Sequence, residues 1–155
     1  MSITLKRIDM QDCEKLWKMQ AEAFSELLAK YHDYDISPAN KPMSRVEERL
    51  CQPFTYYYFI MEGETAVGAI RVVDNKDGSP KRISPVFIMK EFRSKGYAQK
   101  AIIAVEKLHG ADNWCLDTIL QEAGNCYLYE KMGYHQTGKT EVINDRMTMV
   151  FYEKK

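Results

Sequence analysis

Arg93, Ser94, Lys95, Gly96, Tyr97 and Ala98 connect an apolar run, Ile83 to Met89, to a segment with helical spacing. A chain that turns from a strand into a helix leaves unpaired N–H groups at the helix start. Together with the positive end of the helix dipole, those groups make an anion site. Gly96 lets the backbone approach a phosphate closely. Ala98 is small enough to keep the helix near the strand, and Arg93 and Lys95 add positive charge at the rim. Taken alone, the hexapeptide serves equally well as a solvated turn.

A second group lies about 30 residues on: Asn125-Cys126-Tyr127-Leu128-Tyr129-Glu130-Lys131-Met132-Gly133-Tyr134. Tyr129 is a phenol on a helix that ends at Gly133. On its own it reads as a packing tyrosine. Asp117 lies in the strand between the two groups and is a candidate base. His32, Asp33 and Asp35 follow the first long helix in a polar break. His109, just before Gly110, reads as an imidazolium that complements a helix C-terminus. Cys13, Cys51, Cys115 and Cys126 form no C-x-x-C pair, and no His or Cys sits at zinc spacing. They read as structural thiols.

These residues need elements to hold them. Ser2 to Arg7 alternates and reads as a short strand, and Asp9 offers an N-cap to the long helix that follows. Cys13, Leu16, Trp17, Phe24, Leu27, Leu28 and Tyr31 mark one face of that helix. Ser44 and Glu47 predict a capping box for a short helix through Leu50. Phe54 to Met61 and Thr65 to Val73 read as a hairpin turning at Glu62-Gly63-Glu64. Tyr56, Tyr57 and Tyr58 must then alternate faces. Pro85 inside the run Ile83 to Met89 predicts an edge or a bulge. A helix from Ala98 to Gly110, a strand Trp114 to Leu120, a helix Asn125 to Met132, and a closing pair Tyr134 to Gly138 with Arg146 to Tyr152 complete the chain. The order βα(α)βββαβαββ predicts a mixed α/β sheet with helices on its faces.

The run VFIMKEFRSKGYAQKAI resembles the acyl-CoA-binding motif of the GNAT superfamily of N-acetyltransferases, R/Q-x-x-G-x-G/A after a strand. NCYLYEKMGY resembles that superfamily's N…LYEKxGF segment, with Tyr134 in place of the commoner Phe. The element order is also similar, so the resemblance covers nearly the whole chain. It implies a mostly antiparallel central sheet with helices on both faces. It implies acetyl-CoA as cosubstrate, with its pyrophosphate on the N–H groups from Ser94 to Ala98 and a contact from Asn125. Pantetheine would pair with free backbone groups near Phe87, Ile88 and Met89, where an N–H would face the thioester oxygen. Tyr129 would face the departing sulfur. Proton transfer from a phenol (pKa ~10) to a free thiolate (thiol pKa ~8.5) is uphill by about 2 kcal/mol, which favours hydrogen-bond stabilisation of the sulfur.

Composition bounds the rest. One domain, residues 1–155, is expected from the length. Scaling laws give a folded surface of roughly 8,000 Å² and burial of about 69%, enough for a core without staples. Lys plus Arg is 22 and Asp plus Glu is 22. That balance removes the main argument for a nucleic-acid or membrane-surface partner. With no signal-like or membrane-spanning run, the expected location is the cytoplasm. The expected partner is an amine-bearing acceptor, a small molecule rather than a protein, with a homodimer through the C-terminal strands left open. The rival reading is a non-catalytic acyl-CoA-binding or regulatory module on the same fold. A nucleotide site has neither G-K-[ST] nor G-x-G-x-x-G to support it.

Overall fold

A computed structural model describes residues 2–155. Seven strands form one sheet in the order β1-β2-β3-β4-β5-β7-β6. They are β1 (Thr4–Arg7), β2 (Thr55–Glu62), β3 (Thr65–Val73), β4 (Lys81–Ile88), β5 (Trp114–Ile119), β6 (His135–Val142) and β7 (Thr148–Lys154). The helices are α1 (Cys13–Tyr31), α2 (Met43–Cys51), α3 (Tyr97–His109) and α4 (Ala123–Lys131). Pairing is antiparallel except between β4 and β5. The order of elements is the one the periodicity predicts, with boundaries displaced by a few residues.

Strand alternation sorts the core onto two faces. Tyr57, Phe59, Ala69 and Phe87 pack with Leu16 and Ala23 of α1 and Val46 of α2. Tyr58, Ile60, Ile70 and Ile83 pack with Tyr97, Ala101, Ile102 and Val105 of α3 and with Tyr129 of α4. The tyrosine run therefore divides between the faces. The accessible surface, 8507 Å², agrees with the size expectation.

Two helix starts differ in how they form. Asp9 caps a 3-10 turn, Met10–Asp12, through a capping box with Asp12 that leads into α1. The box expected from Ser44 and Glu47 is absent. Pro42 occupies the N-cap of α2, and Ser44 lies inside the helix, so no side chain caps it. Pro42 has a φ of −72° and an extended ψ, which bring the chain into the helix without a side-chain acceptor.

β4 positions the site. It pairs with β5 only at Lys81↔Trp114 and Arg82↔Cys115, after which the strands part. On its other edge it stays paired with β3 as far as Gly68↔Ile88, with an irregular register between Ile70 and Val72, opposite Ser84 and Pro85. Pro85 thus sits at a bulge of an interior strand, where a missing N–H breaks no regular ladder. Gly68 permits the close approach of β3: a Cβ there would lie 2.0 Å from the Phe87 carbonyl oxygen.

Candidate active site

The parting of β4 from β5 opens a cleft of about 470 Å³. Its walls are Val86, Phe87 and Ile88 of β4, Ala23, Phe24 and Leu27 of α1, and Leu128 and Tyr129 of α4. Its floor runs out to Ser94, Gly96, Tyr97, Ala98 and Gln99 at the start of α3. That volume suits a small-molecule or cofactor arm.

The start of α3 is uncapped and open to the cleft. Gly96 is the N-cap with φ +82°, and no side chain caps the helix. The first intrahelical bond is Lys100 N–H to the Gly96 carbonyl, so the N–H groups of Tyr97, Ala98 and Gln99 have no helical acceptor. Ser94 also has a positive φ, 65°, which bends the backbone into the turn. No atom lies within 4 Å of a Cβ built on Gly96, so the space above it is free for a ligand. These features fit a pyrophosphate.

Arg93 lines the cleft but is also engaged by the protein's own groups. Arg93 Nε donates to the Ile88 carbonyl at 2.9 Å and Nη2 to the Ala23 carbonyl at 2.9 Å. It also pairs with Glu26 at 3.6 Å. The guanidinium therefore ties the end of β4 to α1 across the cleft, because its long planar fork reaches two carbonyls on different elements. Lys95 is exposed, with its ammonium 5.8 Å from the Phe92 ring centre, and it lies outside the cleft wall.

The backbone groups open to the cleft also differ from those expected. Met89 N–H donates to the Val67 carbonyl at 2.8 Å, and its side chain is buried on the α1 face, so it offers nothing to a ligand. Ladder groups alternate direction along a strand. Phe87 is accordingly turned toward β3, and the groups facing the parted edge belong to Val86 and Ile88. Val86 was not singled out by sequence, because its periodicity marks only a strand. Of the open carbonyls, that of Ile88 is taken by Arg93.

Tyr129 is 7% exposed and lines the cleft. Its ring lies edge-on to Tyr134, with centroids 6.2 Å apart, and tilted against Tyr152 at 6.1 Å. Burial pushes its phenol well above the usual tyrosine range, and the charges of Asp117 and Cys126 add to the shift. Asn125 is exposed at the mouth, on the first turn of α4. Asp117 is not on the cleft wall. Its carboxylate accepts from Arg82 at 3.0 Å on the α1 side of β5.

In the sequence Glu122 is notable only as the residue seven before Tyr129, where a variant of the family pattern has asparagine. Its carboxylate accepts from Lys30 Nζ at 2.9 Å and from the Tyr31 hydroxyl. It thereby braces the end of α1 to the start of α4 beside the cleft. Burial opposes its ionisation, yet the bonds from Tyr31 and Lys30 prevail and hold its pKa below the ordinary value. Asp33, in the polar break, is buried with Oδ1 unpartnered, and burial raises its pKa.

His109 corrects the dipole reading. Its ring is buried between Tyr58 Oη at 2.9 Å and Asp74 Oδ2 at 3.2 Å. Burial lowers its pKa, although Asp74 acts in the opposite direction. The neutral ring with Nδ1–H toward Asp74 and Nε2 accepting from Tyr58 satisfies both contacts.

Comparison with known proteins agrees with this geometry. The family model described as "Acetyltransferase (GNAT) domain" matches residues 19–155. No curated protein matches the sequence. Among solved structures, a spermidine N-acetyltransferase from Vibrio cholerae in complex with CoA and spermine superposes with TM-score 0.75 at 14% identity, covering 97% of this chain and 94% of that one. The PaiA N-acetyltransferase from Thermoplasma acidophilum in complex with coenzyme A gives 0.68 at 15% identity, with both chains covered in full, 100%. The ribosomal-protein-S18-alanine N-acetyltransferase of Escherichia coli gives 0.73 at 9% identity, over 97% of this chain and 91% of that one. With the family match spanning most of its length, and with an uncapped helix start and parted strands in place, the chain belongs to the GNAT family of acetyl-CoA-dependent N-acetyltransferases.

Proposed function

We propose that residues 1–155 act as one domain that moves an acetyl group to a primary amine by direct attack in a ternary complex. The observation that carries the site assignment is the continuity of the parted β4–β5 edge with the uncapped start of α3. Acetyl-CoA supplies the activated thioester carbonyl. The N–H groups of Tyr97, Ala98 and Gln99, with the Ser94–Gly96 turn, hold its pyrophosphate. Ile88 N–H is the donor toward the carbonyl oxygen, where negative charge develops. Asn125 contacts the cofactor at the mouth.

Tyr129 donates a hydrogen bond to the departing sulfur. Its raised pKa makes full proton transfer still less favourable than it is for free phenol, so the role is stabilisation of the thiolate. The attacking amine must be neutral, which at pH 7 is true of about one lysine-type amine in 2,500. Asp117 bears on this chemistry through its charge near Tyr129. Its bond to Arg82 favours an electrostatic role over proton abstraction.

The acceptor is proposed to be a small amine. The structural neighbours include enzymes named for a polyamine and for an alanine of a ribosomal protein, so both classes belong in a screen. A homodimer is supported by β6, an edge strand exposed along its whole length. A cytoplasmic setting is supported by four unbridged cysteines. Among the described residues no helix is long and apolar enough to cross a membrane.

Calorimetry with acetyl-CoA tests the site. Wild type should bind, Gly96→Glu should not, and Gly96→Ala should bind with a modest loss from its positive φ. Absence of binding in the wild type, or unchanged binding in Gly96→Glu, overturns the cradle assignment.

A further inference from the structure

Arg71 is a buried cation. It is 8% exposed on the α1 side of β3, and among the described residues no carboxylate pairs with it. Neutral acceptors hold it instead. Nη1 donates to the Ser84 carbonyl at 2.8 Å, while Nη2 makes long contacts to Gln52 Oε1 at 3.3 Å and Thr55 Oγ1 at 3.4 Å. The buried Nε finds no acceptor. Arg49 on α2 and Arg82 on β4 lie close enough to repel it, and burial and these neighbours lower its pKa to about 10. The carboxylate that joins the group is Asp117, bound to Arg82 at 3.0 Å. Among the described residues, three guanidiniums against Asp117 and, one strand further on, Glu153 still leave a local excess of positive charge in a chain whose net charge is zero.

The three arginines lie outside the cleft wall but connect to it along β4 and through Asp117. Ser84, whose carbonyl Arg71 holds, lies two residues before Val86 of the cleft wall, at the bulge of β4. Asp117 is near enough to Tyr129 for its charge to be felt there. Arg82 has 45% of its side chain exposed, so an incoming anion meets it first, with Arg71 beneath. A buried, unpaired charge is costly, and an anion that presents two adjacent oxygens, as a carboxylate or a phosphate does, relieves that cost while engaging the guanidinium fork.

We propose that Arg71, Arg82 and Arg49 recognise an anionic group, a carboxylate or a phosphate, on the acceptor molecule that carries the reacting amine. This rests on the acetyltransfer site described above, and it narrows the acceptor to an amino acid-like or phosphorylated amine rather than a polyamine.

The test is a titration of the arginine Nε–H resonances of the CoA-bound protein, using matched amines. β-Alanine is paired with propylamine, and O-phosphoethanolamine with ethanolamine. Saturable shifts at Arg71 and Arg82 are expected with the anionic member of at least one pair and not with its neutral counterpart. Whether the carboxylate or the phosphate responds separates the two chemistries. Arg82→Gln should weaken that binding about tenfold while leaving calorimetric CoA affinity unchanged, and Arg71→Lys should recover part of what Arg71→Gln loses. Silent arginines with every anion, or equal shifts with the neutral amines, overturn the proposal. Failure of CoA to bind in the same protein sinks the acetyltransfer site instead, and the arginine shifts still decide the anion site.

Discussion

Tyr129 and His109 show how burial sets the chemistry of single residues. Tyr129 has its proton held in place by burial. Tyr129→Phe keeps the ring against Tyr134 and Tyr152 and removes only the hydroxyl. It is expected to lower kcat by about 10²-fold with CoA affinity unchanged. Wild-type turnover across the pH range would exclude the role. His109 has its pKa lowered by burial, so the unfolded chain takes up a proton before the folded one does. Its contribution is present above the unfolded value of about 6.5 and is lost as pH falls below it. His109→Gln should therefore flatten the loss of stability on mild acidification, measured as urea midpoints against pH. An unchanged slope would show that the ring charges without cost.

At the scale of elements, the cleft depends on three struts. Arg93 joins β4 to α1, Glu122 joins α1 to α4, and Gly68 lets β3 hold β4 from behind. Gly68→Ala places a methyl against the Phe87 carbonyl, and no side chain is there to yield. It should cost about 2–3 kcal/mol, a fall in Tm of about 5–10 °C, and it should weaken CoA binding because β4 is displaced. A variant with wild-type Tm would mean that the sheet opens at no cost. The Glu122 brace has its own acid signature. Its folded pKa is depressed, so its stabilisation is present above about pH 4.3 and disappears as pH falls through the folded value. Glu122→Gln should be less stable than wild type at neutral pH and converge with it in strong acid.

For the whole molecule, the sheet serves as the shared wall of two cores, one under α1 and α2 and one under α3 and α4. Neither core can lose its sheet face without exposing the other, so unfolding should be a single transition by near- and far-UV dichroism. Saturating CoA at ~100 times its Kd should add about 2.7 kcal/mol and move that one transition upward. Two separated transitions, with CoA shifting only one, would show that the two faces fold as separate units and would end the one-domain reading.

The sequence by itself determined the elements and the strand-to-helix turn at Gly96, because both depend on local spacing: alternation for strands, helical stripes for α1 and α3, and a glycine where positive φ is required. It also singled out Tyr129, which lines the cleft, and pointed to the family. It did not show which backbone groups of β4 are open, since that depends on where β5 departs. Nor did it show that Arg93 is a strut, that Glu122 is a brace, or that His109 is neutral, since each depends on partners as far as 92 residues away. Arg71 gives the same lesson most sharply. In the sequence it is one cation in a balanced chain. Only the tertiary structure buries it at the bulge of β4 beside Arg49 and Arg82, because packing sets the distance between charges and composition does not.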